Sequence, residues 1–362
     1  MDFKDYDAII DARTPAEYVL DHIPGAVSAP VLDDAQRVEV GTLYKQVSPF
    51  EAKKRGGALV AENVARHVAR MFSEKDKNWR PLVYCWRGGK RSGAMAHILR
   101  EIGWPAETLE GGYRAYRRWV VEALATVPGE IDFIVVHGPT GSGKSRFLGA
   151  LAKAGAQALD LEALAAHRGS VLGGLPGEPQ PSQKWFESQL LAQLQKLDRA
   201  RPAFVEGESK KIGQLQVPEA LIARMRASRC VTLDTDRATR VTLLLEEYQH
   251  FLSDRSTLDA QLDCLVALHG RERIAQWKAL AAAGKWREFV ERLLVEHYDP
   301  AYRRSSMRNF PQLIEAPSVR VASAEAAAFD QAVAKITDVV RNSSVEAGEH
   351  ADVLHSAAPK RA

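Results

Sequence analysis

Short unbroken apolar runs alternate along this chain with stretches whose apolar positions recur every three to four residues. That is the pattern of buried strands alternating with amphipathic helices. DAIID at 7–11 and PLVYCW at 81–86 read as strands. TPAEYVLDH (14–22) opens a helix, with Thr14 as N-cap, Pro15 in the first turn and Glu17 completing a capping box. HIPGAVSAP reads as a turn around Pro24 and Gly25. Leu59, Val60, Val64, Val68, Met71 and Phe72 predict one face of a helix from about residue 60. RSGAMAHILREIG predicts a helix closed by Gly103, and ETLEGGYRAYRRWVVEAL a short strand, a glycine turn and a helix.

PGE at 128–130 marks a boundary. Beyond it the alternation restarts with the strand IDFIVVHG and the helix RFLGALAKAG, then the strands of RPAFVEGES and SRCVTLDTD. From 237 to 298 the pattern is helical throughout; SVRVAS and the helix AEAAAFDQAVAKITDVVR close the fold. The reading is an α/β protein with parallel sheets. It divides into a small α/β domain at 1–127, an α/β core at 128–236, a helical extension with a closing strand and helix at 237–342, and an aperiodic tail at 343–362.

Composition changes this picture little. The 362 residues are 46% hydrophobic and 26% charged, ordinary for a globular chain of two domains. The net charge of +3 is mild, but cations cluster in EAKKRGG (51–57), WRGGKRS (86–92), YRAYRRW (113–119) and YRRSSMR (302–308), as surface for an anionic partner or as solvated faces. Cys85, Cys230 and Cys264 are too few and too uneven for a disulfide framework; the latter two read as small buried hydrophobes. MDFKDYDAII has no signal-peptide pattern and no apolar run reaches membrane-spanning length. The expected location is the reducing cytoplasm, with no membrane partner.

Two motifs carry chemistry. Gly138, Pro139, Thr140, Gly141, Ser142, Gly143, Lys144 and Ser145 form a phosphate-binding P-loop between a strand and a helix. Its backbone N–H groups and the helix N-terminus surround a diphosphate, with Lys144 on the outer phosphate and Ser145 on Mg²⁺. Glu206, at a strand end, is the candidate second magnesium contact, or else a surface strand terminus. No nucleotide-base motif accompanies the loop, so a diphosphate other than ATP stays open. The second motif is Cys85 at the C-terminal end of a strand. Trp86, Arg87, Gly88, Gly89, Lys90, Arg91 and Ser92 follow it, supplying amides and cations that favour a thiolate and hold an oxyanion beside it.

This loop, with IIDARTPAEYVLDHIPGAVSAP at 9–30, resembles the rhodanese family over roughly residues 1–125. The spacing departs from common rhodanese loops. Five residues, Trp86 to Lys90, separate Cys85 from Arg91, as in the related Cys-x₅-Arg phosphatases, and Tyr84 stands where those phosphatases carry histidine. The longer loop suits a tetrahedral phosphate-like group. Joined to the P-loop and to the blocks at 40–64, 159–175, 181–188 and 205–213, it resembles the tRNA 2-selenouridine synthase family.

The resemblance implies a rhodanese-like small parallel sheet with flanking helices, fused to a P-loop NTPase-like α/β domain with a helical C-terminal extension. It also implies a transferase acting on wobble 2-thiouridine in the tRNA anticodon loop. The sulfur is geranylated from geranyl diphosphate, then the geranylthio group is replaced by selenium from selenophosphate. No tightly bound cofactor is implied beyond Mg²⁺ at Ser145 and Glu206. A selenophosphate-producing enzyme is an expected partner. Cys85 would act in the selenium step as nucleophile or selenium carrier, with the 86–92 loop on the phosphate part. His167, Arg168, Ser170, Glu206, Glu208, Ser209 and Lys210 would contact substrate or tRNA. Tyr248, His250, Trp277, Trp286 and Tyr298 read either as a stack for an unpaired base or as helix core. Rival readings are a cysteine-dependent phosphatase or a thiosulfate sulfurtransferase with an appended P-loop module, and a non-enzymatic RNA-binding scaffold.

Overall fold

The structure, a computed structural model, describes residues 1–175, 177–249 and 255–336. His250, the end of the closing helix and the tail from 343 lie outside the described residues. Contacts divide the chain into two units, residues 1–127 with 181–196, and 128–180 with the chain from 197 onward.

The first stretch runs β1 (Ala8–Asp11), α1 (Pro15–Leu20), β2 (Val27–Ser28), α2 (Asp34–Gln46), α3 (Pro49–His67), β3 (Pro81–Tyr84), α4 (Lys90–Ile102), β4 (Glu107–Thr108) and α5 (Gly112–Thr126). Its strands form a parallel sheet in the order β2-β1-β3-β4, with Ile9 opposite Leu82 and Ile10 opposite Val83. Ile10, Val83, Met95, Leu99, Trp79 and Trp104 build the core. Thr14 and Glu17 form the expected capping box, and Gly103 ends α4 in the left-handed conformation.

Two expectations are corrected here. α3 begins at Pro49, capped by Ser48, not near residue 60. The Gly56–Gly57 pair hid it, because glycine lowers helix propensity. Gly56 instead marks a close approach to α2: a side-chain carbon there would lie 3.3 Å from Val40 Cγ1. Met71 is exposed, because the helix widens into a π-type turn over Val68–Phe72 and turns it off the buried face, while Phe72 stays in the core.

The second stretch continues with β5 (Phe133–His137), α6 (Lys144–Lys153), β6 (Gln157–Leu159), α7 (Leu161–Leu164), α8 (Gln183–Lys196), β7 (Ala203–Glu206), the hairpin β8 (Lys211–Ile212) and β9 (Leu215–Gln216), α9 (Glu219–Arg226), β10 (Arg229–Thr235) and α10 (Arg237–Glu247). Helices at Arg255–Asp263, Val266–His269, Arg271–Ala282, Trp286–Leu293 and Asp299–Asn309 follow, then β11 (Ser318–Val321) and a helix at 326–336. Five parallel strands lie in the order β11-β10-β5-β7-β6. β5 is buried at every residue, which is why it reads as a solid apolar run.

One helix leaves the division drawn from sequence. α8 falls inside the expected 128–236 core, yet it packs in the first unit. There Glu187 pairs with Arg117 of α5, and the His22 ring stacks on Trp185 at 3.9 Å. Among the described residues no helix is long and apolar enough to cross a membrane.

Candidate functional site

In the first unit the chain leaves β3 and turns at once through the cysteine loop into α4. The loop is fixed to α5 by backbone hydrogen bonds: Tyr113 N donates to the Cys85 carbonyl at 2.8 Å and Arg114 N to the Trp86 carbonyl at 3.1 Å. The approach is so close that a side chain at Gly112, which has φ of 57°, would start 2.2 Å from that Cys85 oxygen. Below the loop, Arg13 is 1% exposed and pairs with Asp11 at 2.6 Å; its guanidinium lies 4.0 Å from the Tyr113 ring centre. Tyr84 donates its hydroxyl to Asp11 at 2.7 Å, so it serves as a strut. The Asp-Ala-Arg sequence is thus the buried polar frame of the loop.

Cys85 is 4% exposed, and its sulfur accepts a hydrogen bond from the buried Ser92 hydroxyl at 3.2 Å. Burial alone would raise the thiol pKa. Hydrogen bonds from the Ser92 hydroxyl and the Ser92, Gly89 and Arg87 amides outweigh it and hold the thiol below its ordinary value. The three cations expected to do this contribute elsewhere. Arg91 pairs with Glu17 at 2.7 Å, while Arg87 and Lys90 stand exposed. Trp86 turns its ring away from the anion cradle and stacks on Tyr113.

In the second unit the P-loop joins β5 to α6 at the C-terminal edge of the sheet. Gly141 and Gly143 take positive φ values. Arg240 of α10, 5% exposed, donates to the Thr140 carbonyl at 2.8 Å and pairs with Asp299 at 2.6 Å, fixing the loop's apex. A cavity of about 530 Å³ opens over the loop. Of the expected residues, Gly138, Thr140, Gly141, Gly143, Lys144, Ser145, Arg168, Ser170, Glu208, Ser209 and Lys210 line it, while Pro139, the buried Ser142 and Glu206 do not. His167 does not; it is held under its own turn, with Nδ1 accepting the Gly169 N–H at 3.1 Å. Lys210 is paired with Glu219. Trp277 is fully buried in the helical core, whereas Tyr248 and Tyr298 line the cavity.

Carboxylates crowd this cavity. Glu162, which sequence reasoning missed, accepts from Ser145 Oγ at 3.1 Å and so takes the place next to Ser145 expected for Glu206. Glu206 sits behind it, fully buried, with Oε1 accepting the Glu162 N–H at 2.6 Å and Oε2 without a hydrogen-bond partner among the described residues. Burial, then the charges of Asp160, Glu162 and Glu208, pushes Glu206 well above the usual carboxylate range. Burial and Glu162 push Glu208 up to about 8. Lys144, despite burial that opposes its charge, is held above its ordinary value by Glu162 and Glu208. His137, also missed, closes the cavity floor. Burial first, then Lys144, pushes it down to about 3, and among the described residues neither ring nitrogen has a hydrogen-bond partner.

The lining sets Glu162, Glu208 and Glu247 against Lys144, Arg168, Lys210 and Arg226, and among the described residues no group of three or more His, Cys, Asp or Glu side chains is placed to hold a metal ion. A magnesium ion, usually held through one or two carboxylates plus substrate phosphates, would rest here on Ser145 and Glu162 together with the phosphates of a bound substrate. Glu162 was legible only as one acid in LDLEAL, and His137 only as the last residue of a strand; nothing local marked either.

The cavity adjoins a smaller recess of about 50 Å³, which shares Thr140, Leu244, Tyr248 and Tyr298 with it. Its remaining walls are apolar: Leu172, Leu245, Trp286, Phe289, Val290, Leu293 and Leu294. Cys230 is buried as expected, but Cys264 is exposed, because it falls in the turn after the helix Arg255–Asp263.

Known proteins match both halves. The model of the rhodanese-like domain matches residues 1–118, and that of the tRNA 2-selenouridine synthase AAA domain matches 131–263. The tRNA 2-selenouridine synthase of Nitrosomonas europaea is 36% identical over 66% of this chain and 63% of its own length. That of Shewanella halifaxensis is 33% identical over 82% and 87%, and that of Bdellovibrio bacteriovorus 35% identical over 72% and 70%.

Proposed function

The chain belongs to the tRNA 2-selenouridine synthase family, and from that premise we propose that it converts wobble 2-thiouridine of tRNA to 2-selenouridine in two steps, with geranyl diphosphate and then selenophosphate as co-substrates. The observation that carries this reading is the pairing, in one unit, of a phosphate loop with an apolar recess opening beside Thr140. A prenyl diphosphate has those two ends; at about 50 Å³ the recess would take only the start of the chain, and the rest would need its apolar walls to part. The thiocarbonyl sulfur attacks the prenyl carbon and diphosphate leaves, its charge met by Lys144, the loop amides and the N-terminus of α6. Mg²⁺, when bound, would add Lewis-acid stabilisation of that leaving group, held through Ser145 and Glu162.

The cysteine loop serves the selenium step. Selenium in selenophosphate is already at the selenide level, so storing it on Cys85 as a sulfur–selenium bond would need a two-electron oxidant. Attack by the Cys85 thiolate on phosphorus balances without one. A sulfur–phosphorus bond forms, the phosphorus–selenium bond breaks, and hydrogen selenide is released. It adds to C2 of the alkylated base and the geranyl thiolate leaves; water then frees Cys85. The Ser92 hydroxyl and the loop amides support the thiolate before attack.

Mass spectrometry of nucleosides tests both halves, after tRNA is incubated with geranyl diphosphate and then selenophosphate. Cys85→Ala should accumulate the geranylated nucleoside and make no selenouridine. Lys144→Ala should lose geranylation by about 100-fold or more. Equal loss of both products in Cys85→Ala would defeat the division of labour, and normal geranyl transfer by Lys144→Ala would show that the loop serves another ligand. Release of phosphate from an aryl phosphate without tRNA would favour the phosphatase reading.

A further inference from the structure

The first unit carries a groove that neither anion site uses. It has a volume of about 420 Å³, a floor of Trp86 and Tyr113, and four cations, Arg114, Arg117, Arg118 and Lys184, against one acid, Glu122. We propose that this groove holds single-stranded RNA, with an unpaired base on the Trp86 indole and the flanking phosphates on Arg114, Arg118 and Lys184. The proposal rests on the RNA substrate of the preceding section and adds where the first unit grips it.

Three observations carry it. First, Trp86 is 38% exposed on a tightly fixed loop, whereas Trp79 and Trp104 are spent in the core. An indole held open to solvent costs hydrophobic stabilisation unless something covers it. Its orientation is built: the ring stacks on Tyr113 with centroids 5.4 Å apart and planes 27° apart. Tyr113 is itself fixed from two sides, by its hydroxyl on Asp21 at 2.6 Å and by Arg13 over its ring. The stacking platform is therefore preorganised.

Second, the cations are placed by a helix face. Arg114 and Arg118 lie one turn apart on α5, exposed, with no ion pair among the described residues. Arg117 between them is consumed structurally, paired with Glu187 of α8 and donating to the Lys184 carbonyl, and Lys184 also lines the groove. Third, the groove begins one residue from the thiol. The carbonyls of Cys85 and Trp86 are both hydrogen-bonded to the first turn of α5, so a base stacked on Trp86 sits beside the cysteine loop. Aromatic faces with flanking cations are the general physics of single-strand binding, and stacking does not require a particular base.

The test measures binding of the full chain to an unmodified tRNA transcript across a salt series. Trp86→Ala should raise Kd by roughly 5- to 150-fold, the range for loss of one base–aromatic stack. Trp86→Phe, which keeps a ring, should retain most of the affinity. Arg114→Gln with Arg118→Gln should lower the slope of log K against log salt by about 1.4, two single-strand phosphate contacts at about 0.7 each. Arg114 and Arg118 are exposed, so their double change should leave circular dichroism and melting unchanged, while Trp86→Phe, which keeps a ring on Tyr113, controls for the stacking that Trp86→Ala removes within the fold. Wild-type binding that survives all three changes, with the same slope, would overturn the groove while leaving the RNA-modifying reading intact. A wild-type chain that binds no tRNA would overturn both.

Discussion

Burial to 4% exposure favours the neutral thiol, and here a hydroxyl and three amides outweigh it and hold the Cys85 pKa below its ordinary value. Ser92→Ala removes the hydroxyl. The pH midpoint of thiolate absorbance for Cys85 should then rise, and thiolate should be lost as pH falls through that higher midpoint. An unchanged midpoint would show that the amides suffice. Cys264, exposed in its turn, should be labelled by a maleimide before Cys230, which is buried and whose pKa burial pushes up to about 11. Glu208 behaves oppositely to Cys85. The folded chain keeps its proton to about pH 8, while an unfolded chain releases it near 4.5. Its contribution to stability is therefore complete below the unfolded value and is lost as pH rises through that window. Glu208→Gln cannot ionise, so it should flatten the fall in Tm between about pH 5 and 8. An unaltered slope would mean that another group titrates there.

Among the elements, α10 has a task that its sequence does not announce. Arg240 reads as one cation on an amphipathic helix, yet it holds the Thr140 carbonyl and Asp299 together under the phosphate loop. Arg240→Ala leaves Asp299 and that carbonyl without their partner. It should cost about 3 kcal/mol in denaturant unfolding and weaken binding of inorganic diphosphate. A stability loss with unchanged diphosphate affinity would show that the loop holds its shape unaided. Of the elements that read correctly, β5, β10 and α4 combine an apolar run or a closing glycine with burial, whereas α1 rests on its capping box alone and buries none of its residues. α3 did not read correctly over its first half, because its glycines answer to a neighbouring helix rather than to local propensity.

For the whole molecule, the consequential finding is that α8 belongs with the first unit although both its sequence neighbours, β6–α7 and β7, belong to the second. A fragment ending at residue 127 would lose the Glu187 partner of Arg117, the Trp185 ring on His22 and the Ser182 hydrogen bond to the Leu20 carbonyl. It should melt below the first unit of the full chain; an equal Tm would show that α8 is dispensable. The sequence by itself determined the α/β alternation, the phosphate loop and the cysteine loop, because each is set by local periodicity or by contiguous residues whose backbone makes the site. Only the tertiary structure decided that Glu162 faces Ser145, that Arg91 is spent on Glu17, that Trp86 leaves the anion cradle for Tyr113, and that α8 crosses to the first unit. Each of these is a pairing between residues distant in the chain, and such a pairing has no local signature; it exists only once packing has fixed which faces meet.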